Sequence, residues 1–73
     1  MGNRKILQKL GLLIRKTREQ KGISLNRFAI DNNMTKSGLS KIENGLSNPQ
    51  ILTIVKIAKG LDISLAKLLS DFD

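Results

Sequence analysis

The chain has 73 residues, of which 40% are hydrophobic and 3% aromatic, and its formal net charge is +7 at pH 7. This length allows one domain with a core of Ile, Leu and Val, and the absence of Cys and His excludes disulfides, thiolate nucleophiles, imidazole bases and the usual zinc sites. No apolar run approaches the roughly 20 residues needed to span a bilayer, and Met1–Arg4 does not begin a signal peptide.

The positive charge is concentrated in the first half of the chain. Residues 1–36 contain nine Lys or Arg and two Asp or Glu, a balance of +7, whereas residues 37–73 contain four of each and are neutral. A strongly basic region indicates an anionic partner. The first half is therefore expected to contact a polyanion, while the second half is free for another contact.

The first predicted element is a helix over residues 5–21. Its apolar side chains form one stripe, which includes Ile6, Leu10 and Ile14, while most of the basic residues lie off that stripe. Gly22 is expected to end this helix in the left-handed conformation that glycine adopts easily.

Residues 24–45 predict two short helices joined by a tight turn. Ser24 and Thr35 each precede a helix-length segment, where a side-chain hydroxyl can accept a hydrogen bond from the free N–H groups of the first turn. Asn32 and Asn33 lie between the two helices, and Asn tolerates the left-handed backbone that a sharp reversal needs. The side chains expected to share a core are Phe28, Ala29, Met34, Leu39 and Ile42.

The second of these helices has a polar and cationic outer face. The residues that form this face are Lys36, Ser37, Ser40, Lys41 and Asn44. A single helix with such a face can enter the major groove of DNA and donate hydrogen bonds to base edges. The segment therefore predicts a helix-turn-helix unit.

Two further helices are expected after this unit. Pro49 lies just before the first of them, over residues 50–60, whose apolar residues are so numerous that it should be buried on more than one side. Ser64 then caps a final helix that ends near Leu69. The sequence thus predicts an all-α fold, a compact five-helix domain over residues 1–73.

Five segments of the chain occur together in a specific order: LGLLIRKTREQKGIS, FA, MTKSGLSKIENG, NP and IVKIAKGLDISLAKLL. The residues within them that make the pattern specific are Arg18, Gly22, Ser24, Ala29, Ser40, Glu43, Gly45 and Pro49. With this combination the chain, over about Leu10–Leu69, resembles a lambda-repressor-like, XRE-type DNA-binding domain, the family of phage repressors and Cro proteins.

The resemblance implies which side chains contact DNA. Base-contacting positions of the family fall on Lys36, Ser37 and Lys41. Positions that hold the DNA backbone fall on Ser24, Ser40, Asn44 and Asn48. Arg18 and Glu43 correspond to a structural ion pair between the first and third helices, and we expect this pair to brace the fold and not to contact DNA.

Three positions depart from the family pattern. Leu25 stands where the second helix usually begins with Gln, and a leucine can neither contact a phosphate nor support the first base-reading side chain. Asn33 replaces the glycine of the turn. Asn32 replaces the hydrophobic residue before it, so the turn is expected to be slightly looser.

The resemblance also implies a function, a sequence-specific transcriptional regulator of double-stranded DNA. We expect a repressor that acts as a homodimer on a palindromic operator, bacterial or phage-encoded, cytoplasmic and nucleoid-associated, with no cofactor, metal, small-molecule ligand or membrane contact. The alternative is an antitoxin or adaptor module that uses the same fold for protein interaction. An enzyme is not expected because the six acidic residues form no paired-carboxylate motif.

The dimer surface is expected in the neutral half, because two strongly positive surfaces would repel each other. The residues predicted for it are Leu61, Ile63, Leu65, Leu68, Leu69 and Phe72. A helix of two turns cannot bury all of them inward, so some should be exposed in a monomer. The alternative is that Leu65, Leu68 and Leu69 close the core while Phe72 frays.

Overall fold

Helices form all of the regular structure in the computed structural model, which describes residues 2–72. In chain order they are α1 (Gly2–Gln20), α2 (Leu25–Asp31), α3 (Lys36–Glu43), α4 (Ile51–Gly60) and α5 (Leu65–Leu68), followed by a 3-10 turn at Ser70–Phe72. This part of the chain contains no strand, and the predicted all-α, five-helix fold is confirmed. The outermost residues of the predicted domain, Met1 and Asp73, lie outside the described residues.

Side-chain hydroxyls begin three of the helices. Ser24, Thr35 and Ser64 each precede a helix, and each side-chain oxygen accepts a hydrogen bond from the backbone N–H three residues later, at 3.1, 2.9 and 3.0 Å respectively. Each bond satisfies one of the N–H groups that have no partner within the helix. The predicted starts of α2, α3 and α5 therefore have a local cause.

Left-handed residues follow each of the helices from α1 to α4. Gly22 has a φ of 71°, and the next amide donates to the Arg18 carbonyl oxygen at 3.2 Å, which closes the end of α1. Asn33 has a φ of 60° in the turn between α2 and α3, as its residue type predicts. After α4 the left-handed residue is Asp62, with a φ of 58°, while Gly60 still belongs to the helix.

All five helices contribute to one core. Its buried hydrophobic residues are Leu10, Ile14, Phe28, Ala29, Leu39, Ile42, Ile57, Ala58, Leu61 and Leu68. Phe28 is the one aromatic residue in this set, so the core consists mainly of aliphatic side chains, as the composition predicts. Met34, expected in the same core, packs against it while partly buried.

Helix α4 is less buried than the sequence predicts. Ile57 and Ala58 in its second half are buried, but Ile51 and Leu52 in its first turn are 58% and 75% exposed. Helix α4 packs mainly against α5, a single turn that follows after a short loop over residues 61–64. Because the covering element is so short, the first turn of α4 stays in solvent, and the prediction of burial on more than one side is wrong for this turn.

None of the helices within residues 2–72 combines the length and the hydrophobicity needed to cross a bilayer. In the same residues, no three acidic side chains come together as a group that can hold a metal ion.

Candidate nucleic-acid interface

Helices α2 and α3 form a bihelical unit around a small residue. Ala29 on α2 is 1% exposed, and its methyl group lets α3 pack closely through Leu39, which is fully buried. The amide of Met34 donates to the Ala29 carbonyl oxygen at 2.8 Å and closes the turn between the helices. One side of α3 is thus fixed in the core, and the other side faces solvent.

The solvent side of α3 carries the residues that the resemblance assigns to base contacts. Lys36, Ser37 and Lys41 are all exposed, whereas the apolar residues of α3 are buried. Glu43 is the one acidic residue of α3 and is buried as well. The exposed face of the helix therefore bears positive charge and hydrogen-bond donors, which suits the acceptor-rich edge of guanine in the major groove.

The four residues assigned to the DNA backbone differ in what they already bind. The Ser24 oxygen accepts a bond from the Arg27 amide at 3.1 Å, so its own hydroxyl proton can still be donated to a phosphate. The Asn44 side-chain amide donates to the Ser40 carbonyl oxygen at 2.8 Å and lies 3.3 Å from the Ser40 hydroxyl. Ser40 and Asn44 therefore bind each other at the end of α3, while Asn48 is exposed in the following loop.

A buried ion pair fixes α3 to α1. The Arg18 Nε and one terminal nitrogen bind the two carboxylate oxygens of Glu43 at 2.8 and 3.0 Å, and the other terminal nitrogen donates to the Ile23 carbonyl oxygen at 2.7 Å. The two side chains are only 8% and 4% exposed. The hydrogen bond with Glu43 raises the pKa of the Arg18 guanidinium above its ordinary value, against the opposing effect of burial. The guanidinium thus remains charged, and its bonds to Glu43 set the position of the exposed face of α3.

Two glycines allow α1 to lie directly against the end of α3, and the sequence reasoning missed the first of them. A Cβ atom on Gly11 would collide with the carbonyl oxygen of Ile42 and lie 2.5 Å from that of Glu43. A Cβ atom on Gly45 would lie 2.7 to 2.9 Å from atoms of Gln8, and Gly45 also has a φ of 70°. The signal for Gly11 was an isolated glycine inside a helical pattern, where glycine costs about 1 kcal/mol relative to alanine and so needs a packing reason.

The turn of the bihelical unit has a side-chain hydrogen bond of its own. The Asn32 side-chain amide donates to the Phe28 carbonyl oxygen at 2.8 Å, and its other atoms occupy the space that a Cβ atom on Gly60 would need. Asn32 thus packs the turn against the end of α4, and the expectation that it loosens the turn stays a prediction. Leu25, the residue in place of the usual Gln, packs against the core while partly buried.

Two residues predicted at the dimer surface belong to the core. Leu61 is fully buried and Leu68 is 3% exposed within a single chain, so neither side chain is available to a second copy. The reason is that α5 lies against α4 and turns its apolar residues inward. The remaining predicted residues are partly buried: Ile63, Leu65, Leu69 and Phe72.

Known proteins resemble the chain in sequence and in structure. The HTH_3 family, described as Helix-turn-helix, matches residues 14–68. The HTH-type transcriptional regulator SlrR of Bacillus subtilis is 38% identical over 60 residues, which are 81% of this chain and 40% of SlrR. The crystal structure of the restriction-modification controller protein C.AhdI from Aeromonas hydrophila has a TM-score of 0.84 at 31% identity, covering 88% of this chain and 97% of that one. SinR, the master regulator for biofilm formation, in complex with DNA, has a TM-score of 0.76 at 39% identity and covers 82% of this chain and 97% of that chain.

The match covers the helix-turn-helix unit and the helices that brace it. The chain spans two-fifths of the length of its relative SlrR. The relatives are named as transcriptional regulators and not as enzymes, which agrees with the prediction from the acidic residues. The predicted resemblance is confirmed, and the chain belongs to the HTH_3 family of XRE-type helix-turn-helix domains.

Proposed function

We propose that this protein is a sequence-specific regulator of transcription that binds double-stranded DNA through α3. The observation that carries the proposal is the exposed face of α3, whose side chains Lys36, Ser37 and Lys41 face solvent while a buried ion pair fixes the other side of the helix. A rigid support for base-reading side chains is what recognition requires, because a displaced helix loses its hydrogen bonds to the bases. The DNA complex of SinR, whose chain is 39% identical to this one, supports the assignment.

In this proposal the exposed residues of α3 contact bases, and residues outside α3 contact phosphates. Lys36 and Lys41 donate hydrogen bonds to guanine O6 and N7. The Ser37 hydroxyl can donate or accept a hydrogen bond, so it contacts either base of a pair and discriminates little between them. Ser24 and Asn48 hold phosphates at either side of the groove. The Asn44 side-chain amide can bind a phosphate only after it breaks its hydrogen bond to the Ser40 carbonyl oxygen. We therefore expect Asn44 to contribute less to DNA affinity than Ser24 or Asn48.

The regulator acts as a homodimer on a palindromic operator. One recognition helix contacts only a few base pairs, which are too few to define a unique site in a genome. Two helices related by a two-fold axis read a palindrome whose half-sites lie about 34 Å apart, one helical turn. A homodimer that occupies such a site at a promoter excludes polymerase, so we propose a repressor, located with the chromosome in the cytoplasm.

Salt-dependent binding to selected DNA tests the proposal. The protein is used to select duplexes from fragmented genomic DNA, and the affinity for the selected duplex and for an unrelated one is measured between 50 and 200 mM salt. We expect the selected duplex to bind about 10³-fold tighter or more, and both affinities to fall steeply with salt because phosphate contacts release counterions. An adaptor or antitoxin module that works through protein contacts alone would show no selected sequence and little dependence on salt.

A further inference from the structure

A cavity of about 510 Å³ lies between the second half of α1 and the region around α5. Residues within 13–21 line it on one side, and residues within 63–70 line it on the other. Its volume falls within the range of about 300–1,000 Å³ that is usual for ligand sites. We refer to it as the α1–α5 cavity.

The α1–α5 cavity faces away from the proposed reading helix. Gly11 marks the side of α1 that touches the end of α3, because a Cβ atom there would collide with the Ile42 carbonyl oxygen. Gln20, which lines the cavity, follows Gly11 by about two and a half turns at 3.6 residues per turn, and so lies on the opposite side of α1. None of the residues assigned to DNA contacts lines the cavity. A ligand in the cavity and DNA at α3 therefore do not compete for the same surface.

The rim of the cavity is positively charged. Lys21 and Lys67 line it, and no acidic residue does. Both lysines are exposed, and within residues 2–72 neither ammonium group forms an ion pair, whereas Arg15 of α1 binds Glu19 at 3.3 Å. The two ammonium groups are thus able to bind a carboxylate of another molecule.

Two hydroxyl groups of the cavity already donate their protons to the backbone. Thr17 Oγ1 donates to the Leu13 carbonyl oxygen at 2.8 Å, and Ser70 Oγ donates to the Lys67 carbonyl oxygen at 2.8 Å. Each hydroxyl oxygen can still accept a hydrogen bond, but it has no second proton to give. A ligand that binds both oxygens therefore carries hydrogen-bond donors as well as negative charge.

The floor of the cavity is aliphatic and its rim is open. Leu13 and Ile63 are partly buried at the floor, next to the buried Leu68. Half of the lining residues are exposed: Gln20, Lys21, Lys67 and Ser70. Such a site covers less of its ligand than the 70–90% that is usual for drug-sized molecules. The shape therefore fits an extended chain that lies across the cavity better than a small molecule enclosed by it.

We propose that the α1–α5 cavity binds an acidic peptide segment of a partner protein. A carboxylate of the segment binds Lys21 and Lys67. An aliphatic side chain next to it packs on Leu13 and Ile63, and backbone N–H groups donate to the two hydroxyl oxygens. A peptide carries all three kinds of group within a few residues. Because the cavity faces away from α3, the partner stays attached to the chain while α3 is on DNA.

Selection from a displayed library of random peptides tests the proposal in the absence of DNA. The target is the full chain at about 150 mM salt, which screens attraction between distant charges. We expect the selected peptides to combine Asp or Glu with Leu, Ile or Val within a few residues. Replacement of the acidic residues by their amides, or of the aliphatic residue by glycine, should each weaken binding of the synthetic peptide. The amide NMR shifts of the protein should change within residues 13–21 and 63–70.

Two double variants with the same loss of charge decide where the selected peptide binds. Lys21→Gln with Lys67→Gln should weaken binding about 2- to 30-fold, because two exposed ion pairs are lost. The same variant should not weaken further a peptide whose carboxylates are already amides. Lys36→Gln with Lys41→Gln, on the exposed face of α3, is the matched control and should bind the peptide as the wild type does.

A peptide that loses affinity in the Lys36, Lys41 variant and not in the Lys21, Lys67 variant would occupy the DNA-binding face, and the proposal would be wrong. A selection that yields no acidic and aliphatic peptide would overturn it as well. Equal affinity for N-acetyl-leucine, which carries a carboxylate, an N–H and an aliphatic group, would make the cavity a small-molecule site instead. All of these outcomes are measured without DNA, so a chain that binds no duplex would contradict the proposed function and leave this test intact.

Discussion

Replacement of Arg18 by alanine should destabilise the fold before it affects recognition. Arg18→Ala removes two hydrogen bonds to Glu43 and one to the Ile23 carbonyl oxygen, and it leaves a carboxylate that is 4% exposed without its cation. Removal of one partner of a buried pair typically costs about 3–5 kcal/mol. A domain of this length has a total stability of about 4–11 kcal/mol. The change should therefore lower the melting temperature by about 12–40 °C, at about 4–8 °C per kcal/mol.

Thermal and urea unfolding of single and double variants measure this effect. Glu43→Ala should be destabilised to a similar degree, because it leaves the buried guanidinium unpaired. Arg18→Met combined with Glu43→Leu, which fills the site with apolar groups, should be more stable than either alanine variant. An Arg18→Ala protein that melts within a few degrees of wild type but binds DNA weakly would refute the reasoning and would identify Arg18 as a DNA contact.

Three further changes test how the reading helix is positioned, each by urea unfolding. Gly11→Ala should lower stability by about 1–3 kcal/mol, because the new methyl group meets backbone carbonyls at the end of α3; an equal loss in Leu12→Ala, an exposed neighbour, would contradict this cause. Thr35→Ala should cost about 0.5–2 kcal/mol through the loss of the cap of α3, and an unchanged midpoint would contradict it. Asn32→Ala should cost about 0.5–1.5 kcal/mol, because the Phe28 carbonyl oxygen loses its bond from the side-chain amide; a gain in stability would show that Asn32 does loosen the turn.

The features predicted correctly from the sequence are those with a local cause. Ser24 and Thr35 cap helices because their hydroxyls bind amides three residues away, and Asn33 takes the left-handed conformation because its own side chain permits it. Residue type and spacing suffice for such features. The pairing of Arg18 with Glu43 spans 25 residues and was accessible only through the family resemblance.

The features predicted incorrectly depend on which element covers which face. Hydrophobic periodicity shows that the residues of α4 and α5 are apolar, but not how far a neighbour extends over them. Helix α5 is one turn long, so it buries its own Leu68 and leaves Leu52 of α4 in solvent. Close approaches such as the one at Gly11 depend on the crossing of helices that are distant in sequence, and spacing alone does not show them.

The central claim, that the exposed face of α3 reads the bases, is tested most directly by affinities for single-base variants of the selected operator. Lys36→Ala and Lys41→Ala should each lose discrimination at one base pair of the half-site, a loss of about 1–3 kcal/mol, and should retain it elsewhere. Lys67→Ala, an exposed lysine on α5, is the matched control and should discriminate at every position as the wild type does. If Lys36→Ala and Lys41→Ala both discriminate among all operator variants as the wild type does, α3 does not read the bases through this face.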